Sequence, residues 1–259
     1  MNVKAIYAAP FFNDNSDSPK DGMEKSYNEI FKILDLLSIS TDVYKGSETY
    51  LPDEATPVMS PAALDLVERS RGYSNDDPLY VVAIGAITNI ASALLIDPTL
   101  KDRIYVVWLG GHAHEWNDTR EFNMYQDVPA ARVVMSSGVP FVQLPCMGVV
   151  SEFAFNKAEV SSWIDDSKPL AKYLAENTVR FCDIYTPDGS WSKVIWDVVA
   201  VAYLLDGEDK GYVKTKILPA RLPNSDNIYE EAAPDAPMIK YVYALDKEKI
   251  LEDMKEKIL

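Results

Sequence analysis

Hydrophobic and polar positions along this chain fall into blocks with the lengths of strands and helices. Mainly apolar runs, typical of strands buried on both faces, occupy residues 79–85, 104–109 and 139–146. Between these runs, apolar residues recur at helical spacing, and Gly, Pro, Asp or Ser marks most block ends. The pattern predicts a single α/β domain over residues 1–259, with a mostly parallel sheet covered by helices on both faces.

The predicted strands alternate with helices through the first half of the chain, and the second half is more helical. Strands are predicted at Val3–Ala8, around Val43 and Tyr44, at Leu79–Gly85, from Ile104, and at Val139–Cys146, Tyr212–Leu218 and Ile239–Ala244. Helices are predicted from Met23 to Leu37, from Pro61 with Ser60 as its cap, at Thr88–Ile96, from Asp127 through Met135, at Leu170–Ile184 and Val194–Leu205, and around Ile250, Leu251, Met254 and Ile258.

Acidic residues outnumber basic ones by 40 to 25, which gives a net charge of -15. Such a surface repels phosphate backbones and anionic lipids, so we expect no nucleic-acid or membrane partner. No apolar run has the length of a membrane span, and no secretory leader precedes the first strand. Cys146 and Cys182 lack metal-ligand spacing and are predicted to be buried thiols, so we expect a cytoplasmic protein.

A polar loop follows the apolar run at 104–109, where Gly110 and Gly111 end it. Ligands of open α/β sheets bind at the carboxyl ends of strands, so this loop is the first candidate for a binding site. Glu121 and Asn123 are separated by one residue and project to the same side of an extended segment. A carboxylate beside an amide suits sugar hydroxyls, although the pair could instead form a local Asx-type turn.

Other chemistry-bearing residues are few. Asp197 lies in the apolar segment VIWDVVAVAYLL, where it predicts either a metal ligand or a helix cap. His112 and His114, the only histidines, are interpreted as surface residues of the loop rather than metal ligands. The sequence contains neither a phosphate-binding glycine loop nor a GxSxG nucleophile motif.

Four blocks, in this order, resemble the inosine-uridine-preferring nucleoside hydrolase family: VVAIGAITNIASALLIDP, VVWLGGHAHEWN, EFNMYQDVPAARVVMSSGVP and WDVVAVAYLL. The closing segment VYALDKEKIL is also similar to that family's last strand and helix. The resemblance implies hydrolysis of the N-glycosidic bond of ribonucleosides, with Ca2+ holding the ribose hydroxyls and a water. Oxygen ligands suit Ca2+, and a metal-bound water loses its proton more readily.

The resemblance assigns sugar contacts to five positions. Glu121 and Asn123 match residues that bind the ribose 5′ hydroxyl, and Asn117 matches another ribose contact. Leu109 matches a residue that packs at the sugar, and Asn13 matches an asparagine after the family's second strand. The segment between Asn117 and Glu121 is shorter here than in well-known members of that family.

The resemblance assigns metal and base contacts to three further positions. The main-chain carbonyl of Ile84 and the carboxylate of Asp197 match calcium ligands. Trp196 stands where some members have the histidine that protonates the leaving base. An indole cannot donate a proton usefully, but it can stack on a base.

The family's opening DxDxxxDD segment, which supplies two calcium carboxylates and the general base, has no counterpart here. Met1 falls where the family enters its second strand, so we expect a gap in the sheet, weak calcium binding and poor hydrolysis, and the general base is unassigned. Asp14, Asp17 and Asp21 could substitute for the missing carboxylates.

Three functional hypotheses follow from these observations. The first is a ribonucleoside hydrolase, the second a non-catalytic ribose- or nucleoside-binding module, and the third a hydrolase of another glycoside or ester. The resemblance also implies a homo-oligomer. Residues 151–188 are expected to supply base contacts, with Trp163, Phe181 and Tyr185 as aromatic candidates and Trp191 just beyond them as a fourth. Each of the four could instead belong to the core.

Overall fold

The secondary structure alternates between strands and helices as the apolar pattern predicts. The structure, a computed structural model, describes residues 1–205 and 208–258. Its strands are β1 (Ala5–Tyr7), β2 (Asp42–Tyr44), β3 (Leu79–Ala83), β4 (Ile104–Leu109), β5 (Phe141–Leu144), β6 (Ala154–Asn156), β7 (Ser192–Val194), β8 (Val213–Pro219) and β9 (Met238–Leu245). Its helices are α1 (Pro19–Leu37), α2 (Pro61–Arg69), α3 (Thr88–Ile96), α4 (Phe122–Tyr125), α5 (Val128–Ser136), α6 (Lys157–Ser161), α7 (Pro169–Tyr185), α8 (Val198–Leu204) and α9 (Lys247–Ile258).

The main sheet has five strands in the order β3-β4-β5-β9-β8. The first four run parallel, and β8 pairs antiparallel with β9 at one edge. Residues of β4 alternate between two separate cores: Ile104, Val106 and Trp108 contribute to one, and Val107 and Leu109 to the other. The sheet is therefore covered on both faces, as the sequence predicts.

Each core is closed by its own set of helices. Helices α2, α3 and α5 place apolar side chains such as Leu66, Ile90 and Val134 against one face of the sheet. Helices α7, α8 and α9 cover the other face through residues such as Cys182 and Val199. The chain is a single α/β domain of the predicted class. No helix in residues 1–205 or 208–258 combines the length and apolarity needed to cross a bilayer.

Most predicted elements are confirmed, and the errors lie mainly at their ends. Ser60 caps α2 with Pro61 at its first position, and α3 has the predicted bounds. Helix α1 begins earlier than predicted, because Ser18 accepts a hydrogen bond from the Asp21 N–H and Pro19 starts the helix. The helix predicted from Val194 begins only at Val198, because Ser192–Val194 pairs with β6 in a small antiparallel ribbon.

Strands β1 and β2 form a separate parallel pair, hydrogen-bonded to no strand of the main sheet among the described residues. A cleft of about 2380 Å³ lies between this pair and β3, and we call it the central cleft. Ala5–Tyr7 lines one side, Leu79–Val82 lines the other, and parts of α1 and α8 close it. Among the described residues, the β1–β2 pair and the five-stranded sheet are therefore separate sheets that share this cleft.

Asn89, at the start of α3, joins the β1–β2 pair to the main sheet. Its side-chain amide donates to the carbonyl of Ala8, which follows β1, at 2.9 Å. Its amide oxygen accepts from the N–H and the hydroxyl of Ser47, which follows β2, at 2.8 and 3.1 Å. Asn89 is 6% exposed, so these three bonds are shielded from water. The Asn89 side chain thus holds the segments that follow β1 and β2 against the start of α3.

We predict that Asn89→Ala destabilises the protein by about 2–3 kcal/mol, because it removes three buried hydrogen bonds and leaves their partners unsatisfied. Denaturant unfolding measures the change. Asn75→Ala is the matched control, since Asn75 is exposed and its side chain makes no hydrogen bond in the described structure. A loss equal to that of the control would contradict the role given to Asn89.

Candidate active site

The loop after β4 lies at the carboxyl end of the sheet, where Gly110 and Gly111 turn the chain. Gly111 has a φ of 76°, and a Cβ there would lie 2.2 Å from the Tyr229 hydroxyl, so only glycine fits. The Gln143 amide donates to the carbonyl of Gly110, and the Tyr229 hydroxyl donates to that of His112. Strand β5 and a distant segment therefore fix the path of this loop.

Glu121 organises the loop from inside. One carboxylate oxygen accepts from the Asn123 N–H at 2.9 Å, and the other accepts from Gly111 and Met124 at 2.9 and 3.0 Å. Burial raises the pKa of Glu121, and these three bonds with a fourth from the Cys146 thiol oppose the rise. The side chain lines the central cleft, but most of its acceptor capacity is used by its own loop.

Asn123 has a free acceptor. Its amide nitrogen donates to the Leu109 carbonyl at 2.8 Å, which fixes the orientation of the side chain. The amide oxygen makes no hydrogen bond within the described residues, and Asn123 and Leu109 both line the cleft. Asn123 is therefore better placed than Glu121 to accept a bond from a ligand hydroxyl. The predicted sugar-binding role of all three residues stays a prediction.

Trp196, Asp197 and Ile84 line the same cleft. Asp197 occupies the N-cap position of α8, yet its side chain makes no capping bond, so the alternative reading of Asp197 as a cap is wrong. It is exposed to the cleft, although the cleft walls displace bulk water around its carboxylate. This desolvation raises the pKa of Asp197 to about 6, and the charge of Lys193 acts against the rise.

Cys146 also lines the cleft, and its thiol senses the charges of both Glu121 and Asp197. Its thiol bonds to Glu121, and burial followed by the charges of Glu121 and Asp197 raises the pKa of the thiol. Cys146 and Cys182 are both free and buried, as predicted. A thiol held neutral in this way serves as a hydrogen-bond donor to Glu121 and not as a nucleophile.

Asn13 and Asn117 do not line the central cleft. Both are exposed, and Asn13 uses its amide oxygen in a local turn, where it accepts from the Asn15 N–H at 2.9 Å. Asn117 makes no side-chain hydrogen bond within the described residues. The structure therefore brings six of the eight predicted residues together and leaves these two outside, consistent with the short connection between Asn117 and Glu121.

The interpretation of His112 and His114 as surface residues is wrong. The His114 ring packs between Tyr229 and Tyr241, with ring centroids 4.8 and 4.6 Å away. Burial lowers the pKa of His114 to about 4, so it is a neutral core residue at neutral pH. The His112 side chain is 12% exposed and lines the central cleft. Hydrophobic periodicity gave no sign of either position, because the partners come from distant segments.

The donor set for calcium is small. Among residues 1–205 and 208–258, no three His, Cys, Asp or Glu side chains cluster in a way that could hold a metal ion. Asp197 and the carbonyl of Ile84 offer two oxygens in the cleft, whereas Ca2+ takes six to eight. Asp14, Asp17 and Asp21 do not line the cleft, and Asp21 pairs with Lys25 at 2.6 Å. These residues alone therefore do not fit calcium.

The four aromatic candidates for base contacts lie outside the cleft lining. Trp163 packs edge-on against Phe155, and Trp191 is buried with its indole N–H on Asp183. Phe181 and Tyr185 are exposed on α7. Other aromatic residues do line the cleft, among them Phe11, Phe122 and Trp196.

Several hydrogen bonds that support the site were not predicted from the sequence. Thr88 donates to Asp127, which also accepts from the N–H groups of Leu51 and Ala130, and this buried network joins α3 to α5. Trp108 donates its indole N–H to the Gly85 carbonyl at 3.0 Å. The available signal was the polar pair Thr88–Asn89 at the start of a mainly apolar helix, where buried polar side chains need partners.

The chain is similar in sequence to curated ribonucleoside hydrolases. The chain aligns with the pyrimidine-specific ribonucleoside hydrolase RihA of Salmonella paratyphi B at 29% identity over 164 residues, covering 61% of this chain and 52% of that protein. The RihA protein of Salmonella typhi matches equally. The chain thus spans about half the length of the curated relatives it matches.

Solved structures of nucleoside hydrolases superpose on most of the chain. The plant nucleoside hydrolase PpNRh1 gives a TM-score of 0.73 at 15% identity, covering 91% of this chain and 86% of that one. A purine-preferring ribonucleoside hydrolase from Gardnerella vaginalis gives 0.70 at 23% identity, covering 91% and 85%. At these identities the likeness shows the fold alone. The family model described as inosine-uridine preferring nucleoside hydrolase matches residues 20–250, and the chain therefore belongs to that family.

Proposed function

We propose that this chain hydrolyses the N-glycosidic bond of ribonucleosides and releases ribose and a free base. The observation that carries the proposal is the meeting of Leu109, Asn123, Trp196 and Asp197 in one cleft at the carboxyl end of the sheet. Family membership supports it. Nucleic-acid substrates are disfavoured, because the strongly acidic chain repels their phosphate groups.

The sugar is proposed to lie against the loop after β4. The free amide oxygen of Asn123 accepts a bond from a ribose hydroxyl, and the Leu109 side chain packs at the ring. Glu121 supports this arrangement mainly from behind, since its carboxylate holds the N–H groups of Gly111 and Asn123. A rigid polar loop of this kind binds a hydroxyl with little loss of side-chain entropy.

The reaction breaks the bond between C1′ and the base nitrogen, and the oxygen of a water bonds to C1′. Positive charge develops on the sugar ring as the base leaves with the bonding electron pair. The Asp197 carboxylate accepts no hydrogen bond within the described residues, and its pKa of about 6 suits a group that accepts the proton of the water near neutral pH. Trp196 stacks on the base, which takes its proton from solvent.

No step of this proposal passes through calcium, because the described donor set does not fit the ion. We expect the Kd of these residues for Ca2+ to exceed about 1 mM, which is the weak end of the range for protein calcium sites. The homo-oligomer and the cytoplasmic location implied by the sequence also stay predictions.

A non-catalytic nucleoside-binding module is the second candidate. It is favoured by the state of Glu121, whose oxygens already accept three backbone N–H bonds, so that Asp197 is left as one free carboxylate at this end of the cleft. Water activation normally contributes 10²- to 10⁴-fold to a rate of this kind. Ligand binding without turnover would identify this second function.

The decisive assay is release of p-nitrophenolate from p-nitrophenyl β-ribofuranoside, with added calcium and then with chelator. This leaving group departs without protonation, so the assay depends only on sugar binding and water activation. We predict slow turnover that Asp197→Asn lowers by about 100-fold or more. Hydrolysis of uridine and of inosine is measured in parallel, since the relatives include a pyrimidine-specific and a purine-preferring hydrolase.

Asp76→Asn is the matched control for Asp197, since Asp76 is exposed and lies outside the cleft. It should leave the rate unchanged. Absence of turnover by the folded wild-type chain, together with absence of nucleoside binding, would disprove the proposed function. Equal rates for the two Asn variants would disprove the role of Asp197.

We also predict that Asp197→Asn raises stability at pH 7.5. The folded-state pKa of about 6 exceeds the value of 3.8 expected when unfolded, so ionisation of Asp197 opposes folding increasingly between those pH values and fully above pH 6. Solvent screening of this exposed carboxylate limits the gain in Tm to a few degrees at most. Thermal melts at pH 4 and pH 7.5 check the sign: a larger gain at pH 4 would contradict it.

A further inference from the structure

His112 stands five residues before Asn117 in the loop after β4, and the two differ in what they face. His112 lines the central cleft together with Leu109, Asn123 and Asp197. Asn117 is exposed and does not line it. The loop therefore turns a histidine toward the cleft where the sequence predicts an asparagine as a ribose contact.

The hydrogen bonds of the His112 ring determine which nitrogen carries its proton. Nδ1 accepts from the Met147 N–H at 3.3 Å, so in the neutral ring the hydrogen is on Nε2. The closest carboxylate oxygen, on Asp118, is 3.9 Å from Nε2, which is beyond hydrogen-bond range. Nε2 is thus a donor without an acceptor among the described residues.

The atom is also accessible, in contrast to its counterpart in His114. The Nε2 of His114 is buried and has no hydrogen-bond partner, whereas the Nε2 of His112 keeps some exposure to solvent. Burial lowers the pKa of His112 despite the opposing charge of Asp118, so the ring is neutral at neutral pH. A neutral donor adds no charge to a site meant for an uncharged sugar.

The loop geometry fixes His112 relative to Asn123. Asn123 holds the Leu109 carbonyl, Glu121 holds the Gly111 N–H, and the Tyr229 hydroxyl holds the His112 carbonyl. On the other side, Cys146 donates its N–H to Gly111, and the next residue, Met147, donates to the ring. These bonds fix the backbone and the ring of His112 in the same loop turn that the Leu109 carbonyl and the Gly111 N–H belong to.

We propose that His112 binds the sugar of the ligand by donating a hydrogen bond from Nε2 to one of its hydroxyl oxygens. This inference rests on the proposed function, because it places the ribose at the loop after β4. It assigns a specificity-determining contact to a residue that the sequence analysis placed on the surface. It also removes Asn117 from the set of sugar contacts.

The test measures binding, not turnover. Pseudouridine is the probe, since its carbon–carbon glycosidic bond is not hydrolysed, and titration calorimetry gives its Kd for wild type and for His112→Phe. We expect the variant to bind roughly tenfold more weakly, the effect of one lost hydrogen bond at a shielded site. His112→Gln, which keeps an N–H donor, should recover part of that loss.

The 2′-, 3′- and 5′-deoxy forms of uridine identify the hydroxyl. For one of the three, His112→Phe should cause no further loss of affinity, because the acceptor is already missing. The deoxyuridines are titrated at low temperature and with short exposure, so that their hydrolysis does not affect the measured Kd. Asn117→Ala is the matched control in the same loop and should leave every Kd unchanged.

The outcomes separate the inference from the proposed function. Unchanged pseudouridine affinity in folded His112→Phe would overturn the inference alone. The same would follow if all three deoxy forms lost affinity equally, or if Asn117→Ala caused the loss instead. Absence of wild-type binding to both pseudouridine and ribose would overturn the proposed function as well.

Discussion

Burial of β4 on both faces is the constraint on which the rest of this structure depends. Its side chains enter two different cores in alternation, so the strand can be neither shifted by one residue nor turned without exposing a whole row of apolar groups. Its carboxyl end, at Leu109, is therefore placed by packing on both sides of the sheet. The loop that follows β4 begins from this fixed position, and Glu121 and Gln143 hold its glycine turn through hydrogen bonds.

The balance of charge at the candidate site follows from the same loop. The Glu121 carboxylate accepts hydrogen bonds from backbone N–H groups and a thiol, whereas the Asp197 carboxylate accepts none among the described residues. Asn123 retains a free oxygen and His112 a free N–H, so the site presents a neutral acceptor and a neutral donor near one acid. Such a set is suited to polyhydroxyl ligands, which need both kinds of partner at close spacing.

The sequence predicted the parts of the molecule that depend on local periodicity. The apolar runs of β3, β4 and β5, the Ser60–Pro61 start of α2 and the bounds of α3 could all be read directly. Contacts between distant segments could not, because one sequence carries no information about them. His112 and His114 are examples: their surroundings are created by Met147, Tyr229 and Tyr241, which lie far along the chain. The resemblance assigned roles to eight positions, of which six line the cleft, whereas Asn13 and Asn117 do not.

The open edges of β1 and β3 have a consequence for how the protein behaves at high concentration. Each strand pairs with a neighbour on one side only among the described residues, so two rows of backbone donors and acceptors face the cleft. Unpaired edges of this kind are templates on which another extended segment can add. The high negative charge opposes such encounters between copies through mutual repulsion. Salt, which screens that repulsion, therefore favours self-association of this molecule, and dilute low-salt solutions favour its dispersed form.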